Sequence, residues 1–227
     1  VYKKKIIAAT ITARRSSSRL RDKVLLPFGN STVVETVIDR IKHSNLCDFF
    51  ILATSTDPND DVFKRIASRG TISLFRGNEN DVVSRMVAAV EVEEVRPDII
   101  VRICADNPLL MPSVIDEAIE RLIDRNADII TPFEFNTYPF GYSMVVMTRE
   151  CLERIDREAK EDTYREHVEN YCFEHQEKFR ILYQKAPELL HFRDLNLTLD
   201  YEVDYIRLKR FYELLKNIPY NDQPREL

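Results

Sequence analysis

The chain has 227 residues, of which 44% are hydrophobic and 31% are charged, as is ordinary for a globular protein. Its formal net charge of −5 argues against a general nucleic-acid-binding protein, which would carry an excess of Lys and Arg. The sequence has neither an apolar run long enough for a membrane span nor a signal-peptide pattern, so we expect a cytoplasmic protein without membrane contacts. The four cysteines form no CxxC pair, which favours buried, reduced thiols over a zinc or redox site.

Short apolar runs alternate with amphipathic segments along the first 132 residues. The predicted strands are, in order, KKKIIAATIT, FFILAT, TISLF, PDIIVRIC and ADIITP. Helical spacing of apolar residues predicts helices between them over VVETVIDRIKH, DPNDDVFKRIASRG, NENDVVSRMVAAVEVEEV and PSVIDEAIERLIDRN. Alternation of strands and helices favours a largely parallel sheet that is covered on both faces.

The pattern becomes less regular after Pro132. An irregular insertion, FEFNTYPFGYSMVVM, leads into a strand, and two helices are predicted over RECLERI and DTYREHVENYCFEH. KFRILYQ and LNLTL are predicted strands, and DYEVDYIRLKRFYELLKN is a final helix before a loose tail. We therefore predict one α/β domain over residues 1–227. It has a mostly parallel central sheet flanked by helices, with a small excursion at about 133–195 for the substrate or for dimerisation.

A basic, serine-rich segment, RRSSSRLRDK, directly follows the first predicted strand. Ligands of parallel α/β sheets bind beyond the carboxyl ends of the strands, and Arg, Lys, hydroxyl and amide donors together suit a polyphosphate. The four glycines of the chain form neither GxGxxG nor GxxxxGK[ST], which excludes two common phosphate loops. A solvated basic turn or a target of a basophilic kinase remains the alternative.

Five motifs, spaced over nearly the whole chain, resemble those of the CMP-Kdo synthetase family, and most closely its SpsF-like cytidylyltransferases. They are TARRSSSRLRDKVLLPFGN, FRGNENDVVSR, VRICADNPLL, YREHVENY and LTLDYEVDY. The resemblance implies the nucleotide-diphospho-sugar transferase fold and a Mg²⁺-dependent transfer of CMP from CTP to an acidic sugar or similar small anionic acceptor. Pyrophosphate would be released, in surface polysaccharide biosynthesis. The resemblance also implies a homodimer.

The resemblance assigns roles to residues that match the family motifs. The residues expected to act in catalysis are Arg14, Arg19, Lys23 and Asp106. The residues expected to bind the nucleotide are Ala13, Arg14, Ser17, Arg19, Lys23, Ala53, Asp81, Arg85 and Asp106. Recognition of the base is expected around 53–55 and 77–85, with Asp81 and Arg85 as the candidates. Asp106 and Asp200 are expected to bind Mg²⁺, which prefers one or two carboxylates plus phosphate oxygens. Helix capping is the alternative for both of these acids, and a salt-bridged helix face is the alternative for Asp81 and Arg85 at i, i+4.

The acceptor is expected to bind at the excursion, where polar and aromatic side chains are frequent. The expected substrate-binding residues are Tyr138, Tyr142, Arg165, Glu166 and His167. Arg165 and His167, from the REHV segment, are expected to meet a carboxylate. A solvated helix face is the alternative for Arg165.

The sequence departs from the family pattern at several positions. Ser16 stands where the family has Gly, and Arg21-Asp22 stand where it has Pro-Gly, so the loop conformation is left open, because Gly adopts φ angles that other residues resist. FGYSMVV, at 140–146, lacks three carboxylates of a family stretch, so the acceptor is not taken from any one relative. Two alternatives remain: a nucleotide-sugar-dependent glycosyltransferase, and a nucleotide-binding relative that has lost catalysis. A glycosyltransferase of this kind normally has a DxD metal motif with two acids, whereas ADN in this sequence offers one.

Overall fold

A seven-stranded sheet lies at the centre of the computed structural model, which describes residues 1–132, 137–142 and 144–218. The strands are β1 (Ile7–Thr12), β2 (Pro27–Phe28), β3 (Ser31–Thr32), β4 (Phe49–Ser55), β5 (Ser73–Gly77), β6 (Ile99–Cys104), β7 (Ile129–Thr131), β8 (Met144–Thr148) and β9 (Ile181–Tyr183). The helices are α1 (Val33–Ile41), α2 (Val62–Gly70), α3 (Val82–Glu91), α4 (Pro112–Asp124), α5 (Arg149–Glu158), α6 (Asp162–Glu166), α7 (Asn170–Glu174) and α8 (Glu202–Leu215). None of the helices in these ranges is long and apolar enough to cross a membrane.

The strand order of the sheet is β5-β4-β1-β6-β8-β7-β9, and β2 and β3 form a separate hairpin. Strand β1 pairs in parallel with β4 and with β6, so that Ala9 lies opposite Phe50 and Val101. Strand β8 runs antiparallel to both of its neighbours, β6 and β7. A strand with neighbours on both sides and helices on both faces is expected to carry no charged residues, and IAATIT has only apolar residues and threonine. The mostly parallel α/β sheet predicted from the sequence is confirmed.

Alternate residues of β6 contribute to two hydrophobic clusters on opposite faces of the sheet. Val101 packs in the cluster that contains Ile115 of α4, whereas Ile100 packs with Met86 of α3 and Leu152 of α5. This alternation follows from the two-residue repeat of a strand. The carboxyl ends of β1 and β6 therefore open on an edge between the two helical layers.

Three predicted elements differ from the structure. LNLTL is not a strand, because its backbone bonds to loop residues instead of to one neighbouring strand. Asn196 of this segment forms an isolated bridge with Phe140. The helix predicted over DTYREHVENYCFEH divides into α6 and α7 at His167, whose φ of −107° and ψ of 83° are not helical. The helix predicted through VEVEEV ends at Glu91.

The segment predicted as an excursion contributes β8 and β9 to the central sheet. FEFN and nearly all of the predicted loose tail lie outside the described residues. Gly141 has a φ of +109°, and a Cβ atom there would lie 2.4 Å from the carbonyl carbon of Leu197. A side chain at this position would collide with the backbone of Leu197. Glycine therefore allows the 195–199 segment to pass close to Gly141.

Candidate active site

A cavity of about 570 Å³ lies beyond the carboxyl ends of β1 and β6, where the sequence predicts a ligand. Its volume is within the usual range for small-molecule sites. The charged groups that line it come from the loop after β1, from α3 and the loop before it, from β6 and the turn after it, and from α6. They are Arg14, Arg19, Lys23, Glu79, Arg85, Arg102, Asp106 and Glu166. Ala13, Ser17 and His167, three further residues with predicted roles, also line it.

Lys23 connects the two acids expected to bind a metal. Its Nζ donates to Asp106 Oδ2 and to Asp200 Oδ1, each at 2.7 Å, and Arg19 Nη2 donates to the same oxygen of Asp200 at 2.6 Å. Burial acts to lower the pKa of Lys23, but the carboxylates outweigh it and the pKa is raised. Lys23 therefore remains a cation at neutral pH.

Asp200 reaches this cluster although the segment before it is not a strand. The backbone N–H of Leu199 donates to the carbonyl oxygen of Asp106 at 2.9 Å, and Thr198 Oγ1 bonds to Asn107 Oδ1 at 2.9 Å. These two bonds hold the chain before Asp200 alongside the turn that follows β6. The two carboxylates thus meet at one sheet edge, as the sequence predicts, but by a different route.

The capping alternatives for the two acids do not describe the structure. Helix α4 begins at Pro112, well after Asp106, whose carboxylate accepts from Lys23. At the start of α8, the backbone N–H groups of Asp200 and Tyr201 both donate to Asp204. Asp204 is therefore the capping acid, and the Asp200 carboxylate faces the cations instead.

The cations of the basic loop have three different environments. Arg14, Arg19 and Lys23 line the cavity. Arg15 instead holds the loop together, since its Nε and Nη2 donate to the carboxylate of Asp22 at 2.6 and 3.1 Å. The side chain of Arg21 is 85% exposed. Only part of the charge seen in the sequence is therefore available to a ligand.

The departures from the family pattern are compatible with this loop. Asp22, which stands where the family has Gly, has a φ of 57° and a ψ of 20°, a left-handed conformation that Asp tolerates better than most residues. The hydrogen bond from Arg15 outweighs burial and lowers the pKa of Asp22. Ser16 does not have a positive φ, so this position does not require glycine. The Ser16 hydroxyl donates to Glu79.

Arg14 joins the basic loop to α6. Its Nη2 donates to Glu166 Oε1 at 2.8 Å and its Nη1 donates to the Glu79 carbonyl at 3.2 Å. Ala53 does not line the cavity, but its carbonyl accepts from the backbone N–H of Ala13 at 3.2 Å. Ala53 thus supports the start of the loop from the neighbouring strand.

Arg165 occupies a position that differs from the expectation. Its guanidinium donates to both oxygens of Asp81 at 2.9 Å and to Asp156 Oδ1 at 2.7 Å. Asp81 also accepts from the backbone N–H of Ser84 and so caps α3. Neither Arg165 nor Asp81 is among the residues that line the cavity. Because Arg165 is held between two acids, this geometry does not support direct contact with an acceptor carboxylate, and the arginine is neither free nor on a solvated face.

Arg85 and Arg102 lie in the cavity wall on the side of α3. Arg85 does not pair with Asp81: its Nη1 donates to the carbonyls of Asn78 and Glu79 at 2.8 and 3.0 Å. Arg102 Nη1 donates to Glu169 Oε2 at 2.7 Å. Arg102 and Glu169 were not among the predicted site residues. Arg102 could have been predicted, because an arginine inside the otherwise apolar strand VRIC is unusual.

Tyr138 and Tyr142 are buried in the core, at 5% and 7% exposure, and they stack on each other with ring centroids 6.0 Å apart. They belong to the hydrophobic cluster that contains α4 and do not line the cavity. Burial raises the pKa of Tyr142 to about 12. Their expected contact with an acceptor is not supported, because burying an aromatic ring stabilises the fold more than leaving it at the cavity.

Comparison with known proteins identifies the family. A sequence profile described as cytidylyltransferase matches residues 8–223. The chain belongs to the cytidylyltransferase family. It is 34% identical over 212 residues to protein MJ1063 of Methanocaldococcus jannaschii, with 92% of this chain and 85% of that protein covered. It is 32% identical over 208 residues to the spore coat polysaccharide biosynthesis protein SpsF of Bacillus subtilis, with 89% and 85% covered.

Solved structures show the same relationship for this cytidylyltransferase. A cytidylyltransferase from Leptospira borgpetersenii superposes with a TM-score of 0.89 at 28% identity, covering 96% of this chain and 92% of that chain. CMP:2-keto-3-deoxy-manno-octonic acid synthetase complexed with CTP superposes with a TM-score of 0.68 at 13% identity, covering 92% and 99%, and so shares the fold. The predicted family and fold are confirmed.

The donor atoms of the cytidylyltransferase suit a small divalent cation that takes its other ligands from phosphates. Within residues 1–132, 137–142 and 144–218, no group of three or more His, Cys, Asp or Glu side chains is arranged to hold a metal ion. Asp106 and Asp200 nevertheless offer two carboxylates on one nitrogen, Lys23 Nζ. Asp106 lines the cavity, whereas Asp200 is not among the lining residues. Mg²⁺ is commonly bound by one or two carboxylates together with substrate phosphates, so the residues present fit such an ion.

Proposed function

We propose that this cytidylyltransferase transfers CMP from CTP to an acidic sugar, with release of pyrophosphate, in the synthesis of a surface polysaccharide. The observation that carries the proposal is the Lys23–Asp106–Asp200 cluster, which lies beside Arg14 and Arg19 at the cavity. The similarity to SpsF supports a role in polysaccharide synthesis. The shared fold with a synthetase complexed with CTP supports CTP as the donor.

The triphosphate would bind at the basic loop. Arg14, Arg19 and Lys23 line the cavity with fixed positive charge, and Ser17 adds a hydroxyl donor. Guanidinium groups bind phosphate oxygens in pairs, whereas the ammonium acts as a compact charge. Since a nucleoside triphosphate carries most of its charge on the outer phosphates, these residues would bind CTP more tightly than CMP.

The reaction requires positioning and charge stabilisation. An acceptor oxygen attacks the α-phosphorus and forms a new P–O bond, while the bond from the α-phosphorus to the bridging oxygen breaks. Pyrophosphate leaves with that electron pair, and the acceptor hydroxyl proton passes to solvent. Because the pKa of Lys23 is raised, Lys23 would stabilise charge on the phosphates rather than accept the proton. Phosphoryl-type transfers depend mainly on such positioning and electrostatics.

Asp106 and Asp200 would hold Mg²⁺, which when bound supplies further positive charge to the phosphates. Glu166 and His167, which line the cavity on the α6 side, would contact the acceptor. We also propose that the protein is a cytoplasmic homodimer. Light scattering coupled to size-exclusion chromatography would test the oligomeric state.

The test is a pyrophosphate-release assay with each nucleoside triphosphate against a panel of acidic and neutral sugars, with the product identified by mass spectrometry. We expect release with CTP and an acidic sugar, and a product with the mass of the CMP-sugar. Release with another nucleotide would overturn the donor assignment. Sugar transfer from a nucleotide sugar, without pyrophosphate, would instead indicate a glycosyltransferase.

A further inference from the structure

Two arginines are buried in the wall of the cavity on the side of α3. Arg85 of α3 is 3% exposed and Arg102 of β6 is 9% exposed, and both line the cavity. Charged side chains are rarely buried to this degree without an acidic partner or a ligand. The partners of these two guanidinium groups therefore indicate what the cavity binds.

Arg102 has an acidic partner, Glu169, which is also buried. Arg85 has none within the part of the chain that the structure describes. Its Nη1 donates to two backbone carbonyls, its Nε is buried without a partner, and its Nη2 has no acceptor among the described residues. The Nε of Arg102 is likewise without a partner. Several donors in this wall are thus unused by the protein itself.

The surroundings of Arg85 carry an excess of positive charge. Burial, followed by the charges of Arg14 and Arg102, lowers the pKa of Arg85 to about 10, and the weaker effects of Asp60 and Glu79 do not compensate. A buried cation among like charges is unfavourable until an anion is present. A bound anion would remove this cost, and its binding would be strengthened by the low exposure of the site.

The position of the two arginines separates them from the phosphate-binding residues. Lys23 and Arg19 are engaged with Asp106 and Asp200 on the side of the basic loop. Arg85, Arg102 and Cys104 line the wall on the side of α3, and Glu169 is the only acid partner of the two arginines there among the described residues. The triphosphate would bind on the side of the basic loop. Since cytosine and ribose are neutral, the anion that remains for Arg85 and Arg102 is a group of the acceptor.

We propose that Arg85 and Arg102 form a subsite for the carboxylate of the acceptor. The flat, two-oxygen shape of a carboxylate matches the forked donors of guanidinium groups. This inference rests on the proposed function. It assigns the recognition of the acid group to the wall on the side of α3, instead of to Arg165, and it assigns Arg85 to the acceptor, instead of to the nucleotide as predicted from the sequence. Arg85 and Arg102 would thus decide between acidic and neutral sugars.

The first test changes the ligand and leaves the enzyme intact, so that folding of a variant is not in question. The probes are 3-deoxy-manno-octulosonate and N-acetylneuraminate, each compared with its neutral amide in the pyrophosphate-release assay. We expect at least one acid to be turned over with a kcat/KM about 10- to 100-fold above that of its amide. This is the usual effect of losing a hydrogen bond to a charged group, which the amide can no longer offer to the arginines. Equal turnover of acid and amide, or turnover confined to neutral sugars, overturns the subsite.

The second test changes the protein, with Arg85→Gln and Arg102→Gln compared with Arg121→Gln, whose arginine pairs with Glu117 on the surface of α4. In each cavity variant we expect the acid-to-amide preference to fall about tenfold or more, while the dissociation constant of CTP stays within a few-fold of wild type. Arg85→Lys should keep part of the preference, because it keeps the charge. The Arg121→Gln variant should behave as wild type.

The outcomes distinguish the subsite from other roles of these arginines. Weaker CTP binding with an unchanged acid preference would place the arginines at the nucleotide and overturn the proposal. Equal loss of acid and amide turnover would show a merely structural role, such as support of Asn78 and Glu79. If wild-type enzyme released no pyrophosphate from CTP with any acceptor, the proposed function itself would fail.

Discussion

Replacing Asp200 with Asn tests the proposed metal-binding role of this carboxylate apart from its contribution to stability. Asp200 Oδ1 accepts from Lys23 Nζ at 2.7 Å and from Arg19 Nη2 at 2.6 Å. In Asp200→Asn, Lys23 keeps Asp106 as a partner at 2.7 Å, and Arg19 is half exposed. We therefore expect a stability loss of only about 1 kcal/mol, or roughly 2–4 °C in Tm.

Turnover should fall much more than stability. A carboxylate that faces a metal ion and developing charge contributes in the way of other well-placed electrostatic groups, whose removal costs about 10²- to 10³-fold in kcat. The Asp106→Asn variant should give a similar result. Pyrophosphate release at saturating CTP and acceptor measures turnover, and thermal melting followed by circular dichroism measures stability. Asp124→Asn, at an exposed ion pair with Lys3, is the control and should change neither.

The double variant tests the shared lysine. With both acids replaced, Lys23 is left as a buried cation without a carboxylate, and such losses cost about 3 kcal/mol or more. The stability losses should therefore exceed the sum of the two single variants. A single variant that keeps turnover within a few-fold of wild type would refute the metal role of its acid, and additive stability losses would refute the bridge through Lys23.

Three further predictions concern other parts of the site. Arg19→Ala should weaken CTP binding far more than CMP binding in calorimetric titration. Arg21→Ala, which changes an 85% exposed side chain, should alter the binding of neither nucleotide. Equal weakening of CTP and CMP binding by Arg19→Ala would show that Arg19 does not contact the outer phosphates. Because Asp22 has a φ of 57°, Asp22→Ala should be less stable than Asp22→Gly by about 1 kcal/mol in urea unfolding, and the opposite order would contradict the strain argument. Arg165 and the Ser84 N–H outweigh burial and lower the pKa of Asp81 below its ordinary value of 3.8. The stability that this carboxylate adds is thus present above pH 3.8 and lost as the pH falls through its lowered pKa. The difference in unfolding free energy between wild type and Asp81→Asn should shrink over that acidic range; a pH-independent difference would argue against the ion pair with Arg165.

The sequence by itself determined the central part of the fold and the family. IAATIT carries no charge and has only apolar residues and threonine, which favours a strand covered on both faces. The charged loop after it is then expected at the sheet edge. The motif order was specific enough to identify a cytidylyltransferase, which the family profile confirms. The first strand and the basic loop after it could be predicted because the pattern of apolar and charged residues that defines them is local in the sequence.

Only the tertiary structure decided which charged residues face the ligand. Arg14 and Arg15 are adjacent and alike in sequence, yet Arg14 lines the cavity while Arg15 bonds to Asp22. Lys23 meets acids that lie 83 and 177 positions further along the chain. No local pattern fixes such partners, because a side chain's partner depends on which distant segment folds next to it. Tyr138, predicted at the acceptor, is in the core for the same reason: the sequence records that a ring is apolar but not which apolar surface it will meet.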